Sequence, residues 1–172
     1  MNFILRMMIF IVFSVYLIIA GEIETTYYGL GKLTGVKYSP DGKYIATYGS
    51  KGICLVNPES MTPGRLIARG IGEITQIDFS PDGQQIALLK KDKSAAVVDI
   101  LNDNVRILTG SAKQTKIQWS TAGDIIVASS SDTTIRLWDA NNLTLLNEIK
   151  IDTTINDFSI NPEGDIIGVT QR

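Results

Sequence analysis

One ten-residue pattern occurs four times in this chain, and its spacing limits the fold more than any other feature. The four copies begin near residues 33, 74, 114 and 155, so successive copies start 41, 40 and 41 residues apart. They are LTGVKYSPDG, ITQIDFSPDG, QTKIQWSTAG and INDFSINPEG, in chain order. A near-constant step of this length indicates a repeat protein in which one supersecondary unit is stacked several times.

Each copy begins as a predicted strand and ends in a predicted tight turn. Val36 and Tyr38 lie on either side of Lys37, and period two with β-branched and aromatic residues is the strand signature. The Ser-Pro-Asp-Gly that follows in the first two copies suits a turn, because proline presets φ and glycine accepts a positive φ. We therefore expect a strand followed by a turn at the start of every repeat.

Three further strands are expected after the turn. Second strands are predicted at Tyr44–Tyr48, Gln85–Leu89, Ile125–Ser129 and Ile166–Thr170, third strands at Ile53–Asn57, Ala95–Asp99 and Ile135–Asp139, and weaker fourth strands at Arg65–Arg69, Val105–Leu108 and Leu145–Ile149. Four short strands in a period of about forty residues are typical of a β-propeller blade. The sequence therefore predicts an all-β chain with about three and a half four-stranded antiparallel blades.

The third copy makes this prediction specific. It contains an apolar strand from Val127, a polar turn that holds Asp132, and a strand that ends in Arg136-Leu-Trp-Asp139. Together with the Ser-Pro-Asp-Gly turns, the segment resembles the tryptophan–aspartate (WD) repeat family of β-propellers. The resemblance covers roughly residues 22–172, which we interpret as an incomplete propeller of degenerate repeats.

The resemblance implies structural roles for several polar residues. In the family, a Trp of the third strand, a Ser or Thr of the second, an Asp of the turn between them and a His before the first strand form a hydrogen-bonded tetrad. Three members match in the third copy: Trp138, Asp132 and Ser130 (one of three adjacent serines). Two more residues are expected to be structural, Asp139 of the Trp-Asp ending and Asp92, which holds the turn position in the second copy.

This chain also departs from the family pattern. Gly110-Ser111 stands where Gly-His is expected, and Val56 and Val98 replace the Trp in the first two copies. We therefore expect apolar packing, more than a polar network, to hold the blades together.

The two ends of the repeat region are expected to be unmatched. Glu22 to Tyr28 has the register of a fourth strand without its own blade, and the resemblance implies that such a strand joins a blade built from the far C-terminus. The chain stops at Arg172, after the second strand of the fourth copy. Two interpretations stay open: a fragment of a longer protein, or a propeller completed by another chain or a second copy. Open blade edges would then promote self-association.

The first twenty residues are expected to direct the protein out of the cytoplasm. Met7 to Ala20 contains no charge and follows Arg6, which fits a helical secretory signal peptide cleaved near Ala20. An uncleaved membrane anchor facing outside is the alternative. Residues 1–20 are thus predicted to be a leader or anchor, and the propeller portion is predicted to be secreted or periplasmic.

Composition excludes several function classes. The chain has 16 basic and 18 acidic side chains and a formal charge of −2, which argues against a nucleic-acid partner. It contains no histidine, the commonest general base and transition-metal ligand. The lone Cys54 lies in an apolar run and is expected to be buried rather than reactive. We expect no enzyme activity, no cofactor and no metal.

We expect a non-catalytic scaffold that binds a protein or peptide. In the family, the loops before the first strand and between the second and third strands line the usual binding face. By that register the resemblance points to six residues, Lys32, Lys51, Glu73, Lys93, Lys113 and Asp152. The leading alternative is the N-terminal propeller portion of a larger secreted or periplasmic enzyme, and a third interpretation is a decayed gene whose product does not fold.

Overall fold

The computed structural model describes residues 7–11, 14–19, 22–26, 31–111, 113–161 and 167–171. Within these ranges the chain forms seventeen β-strands and no helix, so the prediction of an all-β chain is confirmed. All strand pairs are antiparallel, and each sheet contains only strands that are consecutive in sequence.

The N-terminal apolar segment is extended, which corrects the predicted helix. Strands β1 (Met7–Ile11), β2 (Ser14–Ile19) and β3 (Glu22–Thr26) form a three-stranded sheet in the order β1-β2-β3. The helix prediction rested on hydropathy, but isoleucine, valine, phenylalanine and tyrosine supply much of that hydropathy and also favour strands. No helix in the described ranges is long and apolar enough to cross a bilayer.

The pairing of β3 also differs from expectation. The unmatched strand predicted at Glu22 to Tyr28 was expected to join a blade from the far C-terminus, but β3 pairs with β2, with Ile18 opposite Ile23. Residues 27 and 28, and the cleavage site predicted near Ala20, lie outside the described residues. The predicted signal peptide or anchor stays a prediction.

The repeat region forms three complete four-stranded sheets and one two-stranded sheet, as predicted. We call them blades 1 to 3 and the half-blade. Blade 1 consists of β4 (Leu33–Tyr38), β5 (Ile45–Gly49), β6 (Gly52–Val56) and β7 (Pro63–Ile67); blade 2 of β8 (Ile74–Phe79), β9 (Gln85–Lys90), β10 (Ala95–Asp99) and β11 (Val105–Ile107); blade 3 of β12 (Gln114–Trp119), β13 (Ile125–Ser130), β14 (Thr134–Asp139) and β15 (Leu145–Lys150); and the half-blade of β16 (Ile155–Ile160) and β17 (Ile167–Gln171).

Equivalent turns have equivalent geometry in the three blades. After the first strand, Gly42 has φ +72° and donates its backbone N–H to the Ser39 carbonyl at 3.0 Å. Gly83 and Gly123 repeat this arrangement with Ser80 and Ser120. Glycine accepts the left-handed conformation without steric cost, so the Ser-x-x-Gly pattern specifies this turn locally.

The main cores lie between consecutive blades rather than inside one sheet. Ile67 of β7 packs in a buried cluster with Ile74, Ile86 and Leu88 of blade 2. Leu108, which follows β11, packs in the same way with Ile117 and other residues of blade 3. Each blade is therefore stabilised by the blade that follows it, as expected for a repeat architecture. Cys54 is buried, as predicted.

Polar contacts add to this packing at both edges of the blades. On the first strands, Asp78 of β8 pairs with Lys37 of β4, and Lys116 of β12 pairs with Asp157 of β16. On the outer strands, Arg65 of β7 donates to the Leu101 carbonyl of blade 2 at 2.7 Å. Each of these contacts joins neighbouring blades, so successive modules are held in the same relative arrangement.

Candidate binding surface

The loops before each first strand lie beside the turns between second and third strands. Backbone hydrogen bonds join the two sets: Ser50 donates to Lys32 at 2.9 Å, Lys91 to Glu73 at 2.8 Å, and Ser131 to Lys113 at 3.0 Å. We call this surface the loop face; it comprises residues 31–32, 50–51, 68–73, 91–94, 108–111, 113, 131–133 and 151–154.

Glu73 organises the part of the loop face between blades 1 and 2. Its two carboxylate oxygens pair with Lys91 at 2.7 Å and with Lys32 at 3.1 Å. The hydrogen bond from Lys91, followed by that from Lys32, holds the pKa of Glu73 below its ordinary value. The carboxylate is thus already neutralised within the protein and offers little charge to a partner.

Lys93 and Lys113 meet where blades 2 and 3 adjoin. Gln114, which follows Lys113, donates its backbone N–H to the Lys93 carbonyl at 2.9 Å. Both lysines have left-handed backbones, with φ of +66° and +64°, and both are exposed. The structure therefore brings together two lysines that lie twenty residues apart in the sequence.

The other two predicted residues lie towards the ends of the loop face. Lys51 is exposed in the turn after β5, next to the loop that contains Lys32. Asp152 is exposed in the loop before β16, where the adjacent Ile151 donates its N–H to the Thr133 carbonyl at 2.8 Å. All six predicted binding residues thus occur in the loops that form this surface, and their role in binding stays a prediction.

Sequence reasoning missed Lys91 as a member of this surface. Residues 90–93 form one dense charge cluster in the sequence, and nothing in their order distinguishes Lys91 from the other two lysines. The signal was present in the repeat register, because Lys32 and Glu73 are 41 residues apart and thus one repeat apart. Turn lysines next to such a pair are candidates to share its carboxylate.

In blade 3 the indole of Trp138 is not hydrogen-bonded to the serine or the aspartate that match the family tetrad. Trp138 is fully buried, and its indole N–H donates to the Thr109 backbone carbonyl at 2.8 Å rather than to a serine. Ser130 donates its hydroxyl to the Lys113 carbonyl at 3.1 Å. Ser111, at the expected histidine position, bonds both the N–H and the carbonyl of Ala95. Trp138, Ser130 and Ser111 thus each bond to nearby backbone, and the chain has no histidine to complete the tetrad.

Asp132 lies beside Ser130, which matches the same tetrad, and also belongs to a charged cluster of the outer strands. It accepts hydrogen bonds from the Thr134 backbone N–H at 3.2 Å and from Arg136 at 3.0 Å, and Arg136 also pairs with Glu148 at 2.8 Å. Burial raises the pKa of Asp132, but hydrogen bonds from Thr134 and Arg136 outweigh it and leave the pKa well below its ordinary value. Asp132 therefore stabilises the outer half of blade 3.

The remaining predicted structural residues stabilise turns. Asp139 accepts backbone N–H groups from Asn141 at 2.8 Å and Asn142 at 3.1 Å. Asp92 accepts the backbone N–H and the hydroxyl of Ser94, and these bonds lower its pKa to about 2. Aspartate commonly closes turns in this way by accepting backbone donors two or three residues ahead.

A groove of about 690 Å³ lies away from the loop face, between the turns of blades 1 and 2. Its polar lining is largely engaged within the protein: Lys43 pairs with Asp41 at 2.8 Å, and Arg65 donates to the carbonyls of Ile100 and Leu101. Across the described residues, no three histidine, cysteine, aspartate or glutamate side chains are placed to hold a metal ion. The contacts of Arg65 in the groove therefore join blades 1 and 2 to each other.

Repeated four-stranded antiparallel sheets that pack on one another in sequence define a propeller-type repeat protein. Residues 102–139 match the family model described as WD domain, G-beta repeat, so the resemblance to WD-repeat propellers is confirmed. The match begins before β11 and ends with β14, and thus spans the junction of blades 2 and 3. No curated protein matches the chain.

Proposed function

We propose that this protein is a non-catalytic scaffold that binds a protein or peptide segment on the loop face. The observation that carries the proposal is the set of backbone hydrogen bonds that joins both kinds of loop into one surface, on a chain with a WD-type repeat. Loops held by a rigid framework are common binding elements, because substitutions in them do not disturb the core.

Six charged residues of the loop face are proposed to form the binding site, and they act in two ways. Glu73 and Lys32 would fix the shape of the surface through their ion pair at 3.1 Å. The exposed members offer donors and acceptors to a ligand: Lys51, Lys93, Lys113 and Asp152.

We also propose that the scaffold acts outside the cytoplasm, as a secreted or periplasmic protein, on the basis of the uncharged segment that follows Arg6. Expression of the full chain with a C-terminal tag, followed by fractionation and protease treatment of intact cells, tests this location. Tag in the extracytoplasmic fraction supports it. Protection of the tag from protease and its recovery with cytoplasmic markers would contradict it.

A random-peptide display selection against the purified full chain tests the scaffold function. Enriched peptides are then titrated against Lys93→Ala on the loop face and against Lys43→Ala on the turns at the other end of the blades. We expect Lys93→Ala to weaken binding several-fold and Lys43→Ala to leave it unchanged. Failure to enrich any peptide, or equal binding to both variants and the wild type, would reject the proposal.

A further inference from the structure

Charge is divided unequally between the two ends of the blades. Within the described residues, the loop face carries six basic and four acidic side chains: Lys32, Lys51, Arg69, Lys91, Lys93 and Lys113, against Glu73, Asp92, Asp132 and Asp152. We call the turns at the other end (39–44, 57–62, 80–84, 100–104, 120–124 and 140–144) the opposite face. The opposite face carries one basic and five acidic side chains: Lys43, against Asp41, Glu59, Asp82, Asp103 and Asp124.

Most acidic groups of the loop face are already neutralised by neighbouring cations. Glu73 is shared by two lysines, and Asp132 pairs with Arg136 at 3.0 Å. Asp92 pairs with Lys90, the last residue of β9, at 3.1 Å. Asp152 is therefore the one acidic side chain of the loop face that has no lysine or arginine of the described residues within 4.0 Å.

Three lysines of the loop face have no such compensation. No carboxylate oxygen of the described chain lies within 4.0 Å of the ammonium group of Lys51, Lys93 or Lys113. All three are exposed, and the hydrogen bond from the Gln114 N–H to the Lys93 carbonyl brings the backbones of Lys93 and Lys113 close together. An exposed ammonium group without a counter-ion is available to pair with a ligand carboxylate.

The chemistry of the surface favours a protein ligand over a nucleic acid. None of the loop-face residues is aromatic, so the surface lacks the stacking side chains on which single-stranded bases bind. Arginine, the side chain that best recognises phosphate in a bidentate manner, occurs there only as Arg69. Lysine point charges on mobile stems suit dispersed carboxylates.

We propose that the segment bound on the loop face is acidic, a stretch of peptide rich in aspartate and glutamate. Its carboxylates pair with Lys93 and Lys113 at the junction of blades 2 and 3 and with Lys51 on blade 1. This inference rests on the proposed scaffold function and specifies its ligand. The acidic opposite face repels the same segment and so restricts it to one end of the blades.

Fluorescence anisotropy on the full chain at low ionic strength tests the inference with three labelled ten-residue probes: an alternating Glu-Ser peptide, an alternating Lys-Ser peptide and a ten-nucleotide oligothymidine. We expect the acidic peptide to bind most tightly and to weaken as salt is raised. Lys51→Gln, Lys93→Gln and Lys113→Gln should each reduce affinity about two- to fivefold, and the triple variant about tenfold or more.

Lys43→Gln on the opposite face is the matched control, because it removes the same charge; it should change affinity less than twofold. Thermal unfolding of each variant verifies that the fold is intact. No binding of the acidic peptide, unchanged binding by the triple variant, or tighter binding of the oligothymidine would overturn the inference. If displayed peptides that need Lys93 prove neutral or basic, the acidic ligand is rejected while the scaffold function stands.

Discussion

The carboxylate of Asp78 accepts a hydrogen bond from the backbone N–H of Trp119 at 2.6 Å, while its other oxygen pairs with Lys37 at 2.5 Å. Lys37, Asp78 and Trp119 lie on the first strands of blades 1, 2 and 3. A single, largely buried side chain therefore connects three consecutive repeats. Lys37 and Asp78 occupy the same register in their blades, and Trp119 lies one position further along its strand, so the contact also fixes how one blade follows the next.

Removal of the Asp78 carboxylate should destabilise the whole repeat region. Asp78→Ala leaves the Trp119 N–H without its acceptor and Lys37 without its counter-ion, at an expected cost of about 1–3 kcal/mol. Urea unfolding followed by circular dichroism measures the change. Asp152→Ala, which removes an exposed aspartate, is the control and should change stability by less than about 0.5 kcal/mol. Equal stability of the two variants would contradict the role of Asp78.

Equivalent apolar positions in different blades should differ in their contribution to stability. Leu108 follows the outer strand of blade 2 and is 1% exposed, whereas Ile149 has the same register in blade 3 and is 38% exposed. Leu108→Ala removes contacts with the next blade and should cost about 2–5 kcal/mol. Ile149→Ala should cost less than about 1 kcal/mol in chemical denaturation of the full chain. Similar losses of stability in the two variants would contradict this prediction, because they would mean that Ile149 is as well packed as Leu108.

The environment of Trp138 should be independent of Asp132. The sequence has two tryptophans, so a Trp119→Phe background isolates the fluorescence of Trp138. Asp132→Asn should then leave its emission maximum unchanged, because Trp138 bonds to the Thr109 carbonyl instead. In the same assay Trp138→Phe removes the signal, and in denaturation it should cost about 1–3 kcal/mol, since a backbone carbonyl loses its donor. A shifted emission maximum in Asp132→Asn would contradict this prediction, because it would show that Asp132 and Trp138 interact.

Stability should fall in acid, in part through Asp132. Because its pKa is lower in the folded chain than the ordinary value of 3.8, the unfolded chain binds the proton more readily. The contribution is therefore complete above about pH 4 and is lost as pH decreases towards the lower folded pKa. Asp132→Asn should destabilise by about 1 kcal/mol at pH 7.

Thermal unfolding of the two proteins between pH 7 and pH 2 measures this dependence. The difference between the melting temperatures should shrink as the pH falls below about 4, because the carboxylate of the unfolded chain is protonated before that of the folded chain. A constant difference across the whole range would mean that the charge of Asp132 contributes nothing.

Strand positions in the repeats were predictable because their signals are local. The predicted third strand Ala95–Asp99 agrees with β10 at both ends, and the predicted second strand Gln85–Leu89 is one residue shorter than β9. Alternation defines the strand, and the serine and glycine of the Ser-Pro-Asp-Gly turn define its start. Where these signals occur together, a strand can be identified without knowledge of its contacts with distant parts of the chain.

The errors have a common cause, which is dependence on partners distant in the chain. The indole of Trp138 needs an acceptor, and sequence alone could not identify the Thr109 carbonyl as that acceptor. Strand β3 could pair with any open edge, and it pairs with β2. In the apolar N-terminal segment, helix and strand share the same hydropathy, so composition could not separate them.

The inter-blade ion pairs, in contrast, could have been found from the sequence. Lys32 and Glu73, Lys37 and Asp78, and Lys116 and Asp157 are each separated by 41 residues, the usual step of the repeat. Opposite charges at equal positions of consecutive blades are therefore a signal that becomes visible once the repeat register is assigned.

The central claim is that the loop face binds the partner. Hydrogen–deuterium exchange of the full chain, with and without a peptide obtained by display selection, tests it most directly. Protection confined to residues 50–51, 91–94 and 131–133, with the turns at 39–44 and 80–84 unchanged, is the predicted result. Protection of those two turns, with the loop face unchanged, would contradict the account.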